Sequence, residues 1–145
     1  MEVIIQEPKD GENEKIIVKV YKVSPKLLNV LEQLKDNDDV LAAYIENKLC
    51  AINPKDIYYI ESVDNKTWLY CEGDIYESKQ KLYALEEALT ASAFLRISKS
   101  SIVNLSKIKS LSTALHGRLE AIMTNGEVVI VSRSYVDKLK KRLGL

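Results

Sequence analysis

The chain has 145 residues, 46% hydrophobic and 29% charged, within the usual size range of one globular domain and able to bury a substantial core, which excludes a disordered chain. Its net charge is zero, yet residues 96–145 hold ten Lys and Arg against three Asp and Glu, a net of +7, and residues 1–95 hold the compensating −7. Such a basic region is the electrostatic footprint of a polyanionic partner, nucleic acid first among them. The N-terminal apolar runs are too short for a signal peptide and no later segment approaches membrane-spanning length, so a cytoplasmic protein without direct membrane insertion is expected.

In chain order, Glu2 to Gln6 predicts a strand, Pro8 to Asn13 a polar connection, and the alternating Lys15 to Tyr21 a second strand. Ser24-Pro25 then supplies a helix N-cap followed by proline at the first helical position, with Leu27, Leu31 and Leu34 on one face. The polar break from Lys35 to Asp39 is the best internal boundary, giving an N-terminal strand-strand-helix extension over 1–38 and a second region over 39–145. Short strands follow over Val40 to Glu46, Lys48 to Ile52, Ile57 to Ser62, Thr67 to Glu72 and Ile75 to Ser78, for which a meander is the simplest topology. Leu82, Leu85 and Leu89 mark a short helix. A second strand group covers Ile108 to Ser112, Leu119 to Met123 and Val128 to Val131, with Asn125-Gly126 as a two-residue hairpin signal. Val136, Leu139 and Leu143 close the chain at helical spacing, with Gly144 after the last turn.

Cys50 and Cys71 sit in apolar-rich stretches and read as free buried cysteines, with a disulfide or catalytic thiol as the lesser reading. His116, beside Gly117, reads as a surface turn residue, and with two distant cysteines it cannot complete a typical zinc set. No glycine-rich phosphate loop and no His and Cys pairing is present, so neither an enzyme nor a bound cofactor or metal is expected.

The stretch from Phe94 to Leu105 interleaves apolar anchors with hydroxyl, amide and cationic groups suited to phosphate and base contacts. It falls in an ordered series: the strand Asp56 to Ser62 and its partner Thr67 to Tyr70, then Leu82 to Glu87, then Phe94-Leu95-Arg96-Ile97-Ser98-Lys99-Ser100-Ser101-Ile102-Val103-Asn104, then Asn125-Gly126-Glu127 and Val131-Ser132-Arg133. That series, over residues 39–145, resembles the LytTR family of bacterial DNA-binding domains.

The resemblance implies a mostly β domain of short sheets with short helices, acting as a transcription regulator and response-regulator-like protein that binds double-stranded DNA through loops in successive major grooves. Carried over, the reading positions fall on Asn65 or Lys66, on Ser98 and Lys99, and on Arg133. Arg can grip guanine O6 and N7 bidentately, Lys can donate to the same acceptors or to phosphate, and Ser and Asn mostly bind phosphate oxygens. Ser100 and Ser101 carry two readings, phosphate contact and capping of the next turn. Asn104 is placed with the DNA-binding residues as the lesser of its two readings, the greater being to fix the loop through backbone hydrogen bonds. Lys107 is taken as a phosphate contact, and Arg96 as a partner for either an acid or a phosphate. Lys138, Lys140, Lys141 and Arg142 are read as the solvated face of the last helix, adding to the long-range field.

The family's use of repeated half-sites implies a homodimer, at least on DNA, and residues 1–38 are expected to pack on the domain or to mediate that pairing. Those residues are too few for a doubly wound receiver domain, and Asp38-Asp39 reads as a solvated loop rather than a phosphorylation site. Three rival readings stand beside this one, an enzyme being the weakest. A protein-interaction or ligand-sensing β module would present Tyr58, Tyr59, Trp68, Tyr70 and Tyr76, and single-strand binding would stack bases on several exposed rings. The cations cluster away from the tyrosines, which disfavours the second.

Overall fold

A computed structural model describes all residues except 13–14, 36–39 and 91. Asn13 of the expected N-terminal turn and the Asp38-Asp39 loop fall outside the described residues, as does the side chain of Leu34. The chain divides into two compact units, Met1–Leu34 and Lys35–Leu145.

In the first unit the expected helix forms as α1 (Pro25–Lys35). The Ser24 hydroxyl accepts from the Leu27 N–H at 3.2 Å, the N-cap that its position before proline predicts. The strands expected over Glu2 to Gln6 and Lys15 to Tyr21 do not form. The reason is the absence of a ladder: β-branched alternation fits a residue to a pleated, half-buried surface, but a strand also needs a hydrogen-bonded neighbour and a face to bury. Here Ile4, Ile5, Ile16, Ile17 and Val20 are all exposed.

Among the described residues the second unit holds ten strands and two α-helices. Its order is β1 (Leu41–Ile45), β2 (Lys48–Ile52), β3 (Ile57–Val63), β4 (Lys66–Cys71), β5 (Ile75–Ser78), α2 (Leu82–Ala88), β6 (Phe94–Arg96), β7 (Ser101–Asn104), β8 (Ile108–Thr113), β9 (Leu119–Met123), β10 (Val128–Val131) and α3 (Arg133–Arg142). Seven strands form one antiparallel sheet in the order β2-β1-β5-β4-β3-β7-β6, and three form a second in the order β10-β9-β8. The expected mostly β class with short helices is therefore observed. The simple meander is not: β3-β4-β5 is one, but the β1-β2 hairpin joins at β5, so β2 and β3, adjacent in sequence, are separated by three strands. The chain turns away after β2 at Asn53-Pro54, where the Asn53 side chain accepts from the Lys55 N–H at 3.0 Å.

Turn chemistry sets the registers. Glu46-Asn47 and Asp64-Asn65 both have positive φ at both residues, closing two-residue primed turns between Ile45 and Lys48 and between Val63 and Lys66. The Asn125-Gly126 signal forms a hairpin of another kind. Only Gly126 has positive φ, the Gly126 N–H donates to the Met123 carbonyl and the Met123 N–H to the Glu127 carbonyl, so the connection is a three-residue loop with the glycine in the left-handed position.

The large sheet is buried on both faces. One face, with Ala43, Ile60, Leu69, Phe94 and Ile102, packs with Leu82, Leu85 and Leu89 around α2. The other, with Leu95, Ile97 and Val103, packs with Leu119, Ala121, Met123 and Val131 of the second sheet and Val136 and Leu139 of α3. Because successive strand residues point to opposite faces, Phe94-Leu95 and Ile102-Val103 each serve both clusters, which explains their unbroken apolar pairs. Leu143 stays outside the core, and Gly144, at φ +76, ends the helix as its position predicts.

Leu139, fully buried, should be the residue through which α3 is held. Leu139→Ala is expected to lower unfolding free energy by about 2–5 kcal/mol in urea titration followed by Trp68 fluorescence, and a loss well below 1 kcal/mol would show that α3 is not anchored there.

Candidate nucleic-acid interface

Three loops meet at one end of the large sheet, and two backbone hydrogen bonds join them. The Ser62 N–H, on the strand entering the Asp64-Asn65 turn, donates to the Ser100 carbonyl at 2.8 Å, and the Ser132 N–H donates to the Ile97 carbonyl at 2.9 Å. The loop from Ile97 to Ser101 is thus tied on one side to the β3-β4 hairpin and on the other to the residue preceding Arg133. Asn65, Lys66, Lys99, Ser100 and Arg133 are exposed, and Ser98 and Ser101 are half-buried. Among the described residues, the side chains of Lys66, Lys99 and Arg133 have neither a hydrogen bond nor an ion pair, so their cationic groups are available to a partner.

Arg96 shapes the middle loop from beneath. Its Nε donates to the Ser98 carbonyl at 2.7 Å, Nη2 donates to the Lys99 carbonyl, and Nη1 pairs with the Glu86 carboxylate at 3.5 Å. Of its two sequence readings the structure selects the acid partner and adds the two carbonyls. A guanidinium suits this task because its donors form a rigid fork. With both carbonyls drawn inward and the Ser98 hydroxyl accepting from the Ser100 N–H at 3.2 Å, the loop turns sharply and leaves Lys99 outward.

Two residues placed with the DNA-binding group lie elsewhere. Asn104 is 2% exposed; its amide donates to the Ile57 carbonyl at 2.8 Å, and its oxygen accepts from the Ser106 N–H at 3.1 Å and hydroxyl at 2.7 Å. A side chain so buried and so fully bonded cannot reach a nucleic acid, so its role is the structural one. Lys107 is half-buried beyond the opposite end of β7, with its ammonium 5.1 Å from the centroid of the Tyr58 ring. The structure does not bring it to the loop cluster.

One residue escaped the sequence reading. Arg118 is exposed and lines a groove of about 410 Å3 together with Tyr59, Glu61, Ser98, Ser100 and Ser132. Its only sequence signal is a cation directly after His116-Gly117, and nothing local shows that the β8-β9 turn returns to Ser98. Arg142 donates to the Ser92 carbonyl at 2.7 Å, while Lys138, Lys140 and Lys141 are exposed, so that face of α3 is solvated as expected apart from its last cation.

The aromatic strands have their own chemistry. Tyr59 and Tyr70 stack with centroids 4.2 Å apart and planes 12° apart. Burial, followed by the neighbouring Glu127, raises the Tyr59 hydroxyl, and burial, followed by Glu61, raises that of Tyr70, so both stay protonated. Tyr58 is buried, so the five rings do not form one exposed platform. Cys50 and Cys71 are free and half-buried. Among the described residues no three His, Cys, Asp or Glu side chains gather as a metal site, and no helix is long and apolar enough to cross a membrane.

Residues 47–144 match the family model of the LytTr DNA-binding domain. The chain belongs to the LytTR family. It is 32% identical over 100 residues to the sensory transduction protein LytT of Enterococcus faecalis, covering 69% of this chain and 41% of that protein. A LytT of Bacillus anthracis is 33% identical over 103 residues, with 42% of it covered, so the LytTR chain described here spans about two fifths of the LytT proteins it matches. An uncharacterized HTH-type transcriptional regulator of Staphylococcus aureus is 28% identical over 119 residues, covering 82% of this chain and 80% of that one. Among solved structures, a LytTr DNA-binding domain from Bacillus cereus superposes with a TM-score of 0.70 at 30% identity, covering 74% of this chain and 99% of that domain.

Two measurements check the local chemistry. In Arg96→Lys a single ammonium cannot reproduce the fork, so amide hydrogen exchange at Ile97, Ser100 and Ser101 should quicken; unchanged exchange would show the loop holds without the clamp. Burial, then Asp56 and Asp74, pushes the Cys71 thiol up from 9.0 to about 11, so alkylation by iodoacetamide should be slow at pH 8 and rise as pH approaches 11. The folded state keeps the proton that the unfolded chain releases, so the thiol's contribution to stability is present below pH 9 and is lost between 9 and about 11.

Proposed function

We propose that this chain is a sequence-specific regulator of transcription whose 39–145 region binds double-stranded DNA by placing three loops in the major groove. The hydrogen-bonded junction of the loops is the observation that carries this reading, because it holds three cations without a polar partner among the described residues, Lys66, Lys99 and Arg133, on one rigid frame. Arg133 reads guanine, Lys99 donates to a base or phosphate beside it, and Asn65 and Lys66 meet the groove from the third side. Ser98, Ser100, Ser101 and Arg118 line the floor between them, where hydroxyls and a guanidinium fit phosphate oxygens. Asn104 and Lys107 stand outside the interface. The net +7 of residues 96–145 supplies the field that draws the duplex in.

A second copy on an adjacent half-site completes the assembly on DNA. The exposed apolar side chains at Ile4, Ile5, Ile16, Ile17 and Val20 support self-association through residues 1–38.

Selection of duplexes from a random library, followed by fluorescence anisotropy on the enriched site, tests the reading. Affinity should fall with salt by about 0.9 log units per log unit for each phosphate contacted. Arg133→Ala should cost about 1–3 kcal/mol and relax the preference at one base pair, while Lys107→Ala should change affinity far less than Lys99→Ala. If no duplex is enriched, the function is wrong; if Lys107→Ala outweighs Lys99→Ala, the interface is misplaced.

A further inference from the structure

Arg133 is the first residue of α3, exposed, and without a polar partner among the described residues. A long side chain in that state samples many rotamers, and ordering it on a base costs conformational freedom. The structure limits this sampling with a neighbour remote in sequence. Between β8 and β9 the chain passes through two consecutive left-handed residues, His116 at φ 62, ψ 34 and Gly117 at φ 74, closed by the Arg118 N–H on the Leu115 carbonyl at 3.4 Å. This turn carries the bare Cα of Gly117 against the aliphatic stem of Arg133. A Cβ built on Gly117 would lie 2.8 Å from Arg133 Cδ and 2.9 Å from Cγ, closer than carbon atoms approach, and 3.8 Å from Cβ, an ordinary contact.

We propose that Gly117 is a positioning residue for base recognition: its missing side chain leaves a seat for the Arg133 stem, and the seat sets the direction in which the guanidinium leaves the surface. This deepens the proposed function and rests on Arg133 as a base-reading residue. Glycine is required here on two counts, since the left-handed conformation disfavours side chains and the Arg133 stem occupies the space a Cβ would take. The counts separate experimentally. Asparagine tolerates left-handed backbone, as Asn47 and Asn65 already do in this fold, so Gly117→Asn keeps the turn while filling the seat. The groups that must yield are the middle carbons of a flexible side chain, so Arg133 moves and the fold stays.

The test is a double-mutant cycle on the full chain with the selected duplex. Gly117→Asn should leave the thermal midpoint nearly unchanged, shift the Arg133 Nε–Hε resonance, and weaken binding about tenfold, with preference lost at the same base pair that Arg133→Ala relaxes. In the Arg133→Ala background, where Cγ and Cδ are gone and only the 3.8 Å contact remains, Gly117→Asn should have no further effect. Equal weakening in both backgrounds, or an unmoved Nε–Hε resonance, overturns the seat and leaves Arg133 as a base contact. A shifted resonance with neither variant altering DNA binding overturns the reading of Arg133 itself, and the positioning role with it.

Discussion

The Ile97–Ser101 loop is the constraint on which the proposed recognition surface depends. Its backbone is bonded on both flanks, to Ser62 and to Ser132, and its carbonyls at Ser98 and Lys99 are held by Arg96. Without those bonds the three loops would be independent appendages, each to be ordered separately when a ligand arrives. With them, the entropy of arranging one loop against the next is lost during folding, where the burial of Ile97, Leu95 and Val103 offsets it.

The same loop joins core to surface. It connects β6 and β7, whose side chains alternate between the α2 cluster and the α3 cluster, so the hairpin is fixed on both faces. Asn104 secures its far end by bonding Ile57 across strands and Ser106 locally. A buried amide of this kind is costly unless every bond is made, and here no buried side-chain polar atom among the described residues lacks a partner. The guanidinium of Arg96 and the amide of Asn104 are both bonded within the fold.

Local features were legible in the sequence, and long-range ones were not. The Ser24-Pro25 cap, the short strands of residues 40–131, the α2 leucines and the Gly144 stop each depend on neighbours within a few positions, and each formed. The strands expected in residues 2–6 and 15–21 failed because alternation describes a surface's fit without supplying a ladder. The pairing of β1 with β5, the burial of Asn104 and the tie from Arg96 to Glu86 depend on which elements meet in space. The family resemblance pointed to Lys66, Lys99 and Arg133, which are exposed on the three bonded loops. The approach of Arg118 and Gly117 required the course of the β8-β9 turn, and Asn125-Gly126 showed that even a strong turn signal leaves the loop length open.

The division of labour along Phe94 to Asn104 bears on how such a chain can change over time. Residues that hold the hairpin, Phe94, Leu95, Ile97, Ile102, Val103 and Asn104, are buried, whereas the Lys99 side chain is exposed and has neither a hydrogen bond nor an ion pair among the described residues. A substitution at Lys99 is therefore expected to leave stability almost untouched and, on the proposed reading, to alter what the loop recognises. Duplicated copies of this scaffold could diverge toward different targets by single steps at such outward positions, each step passing through a folded protein.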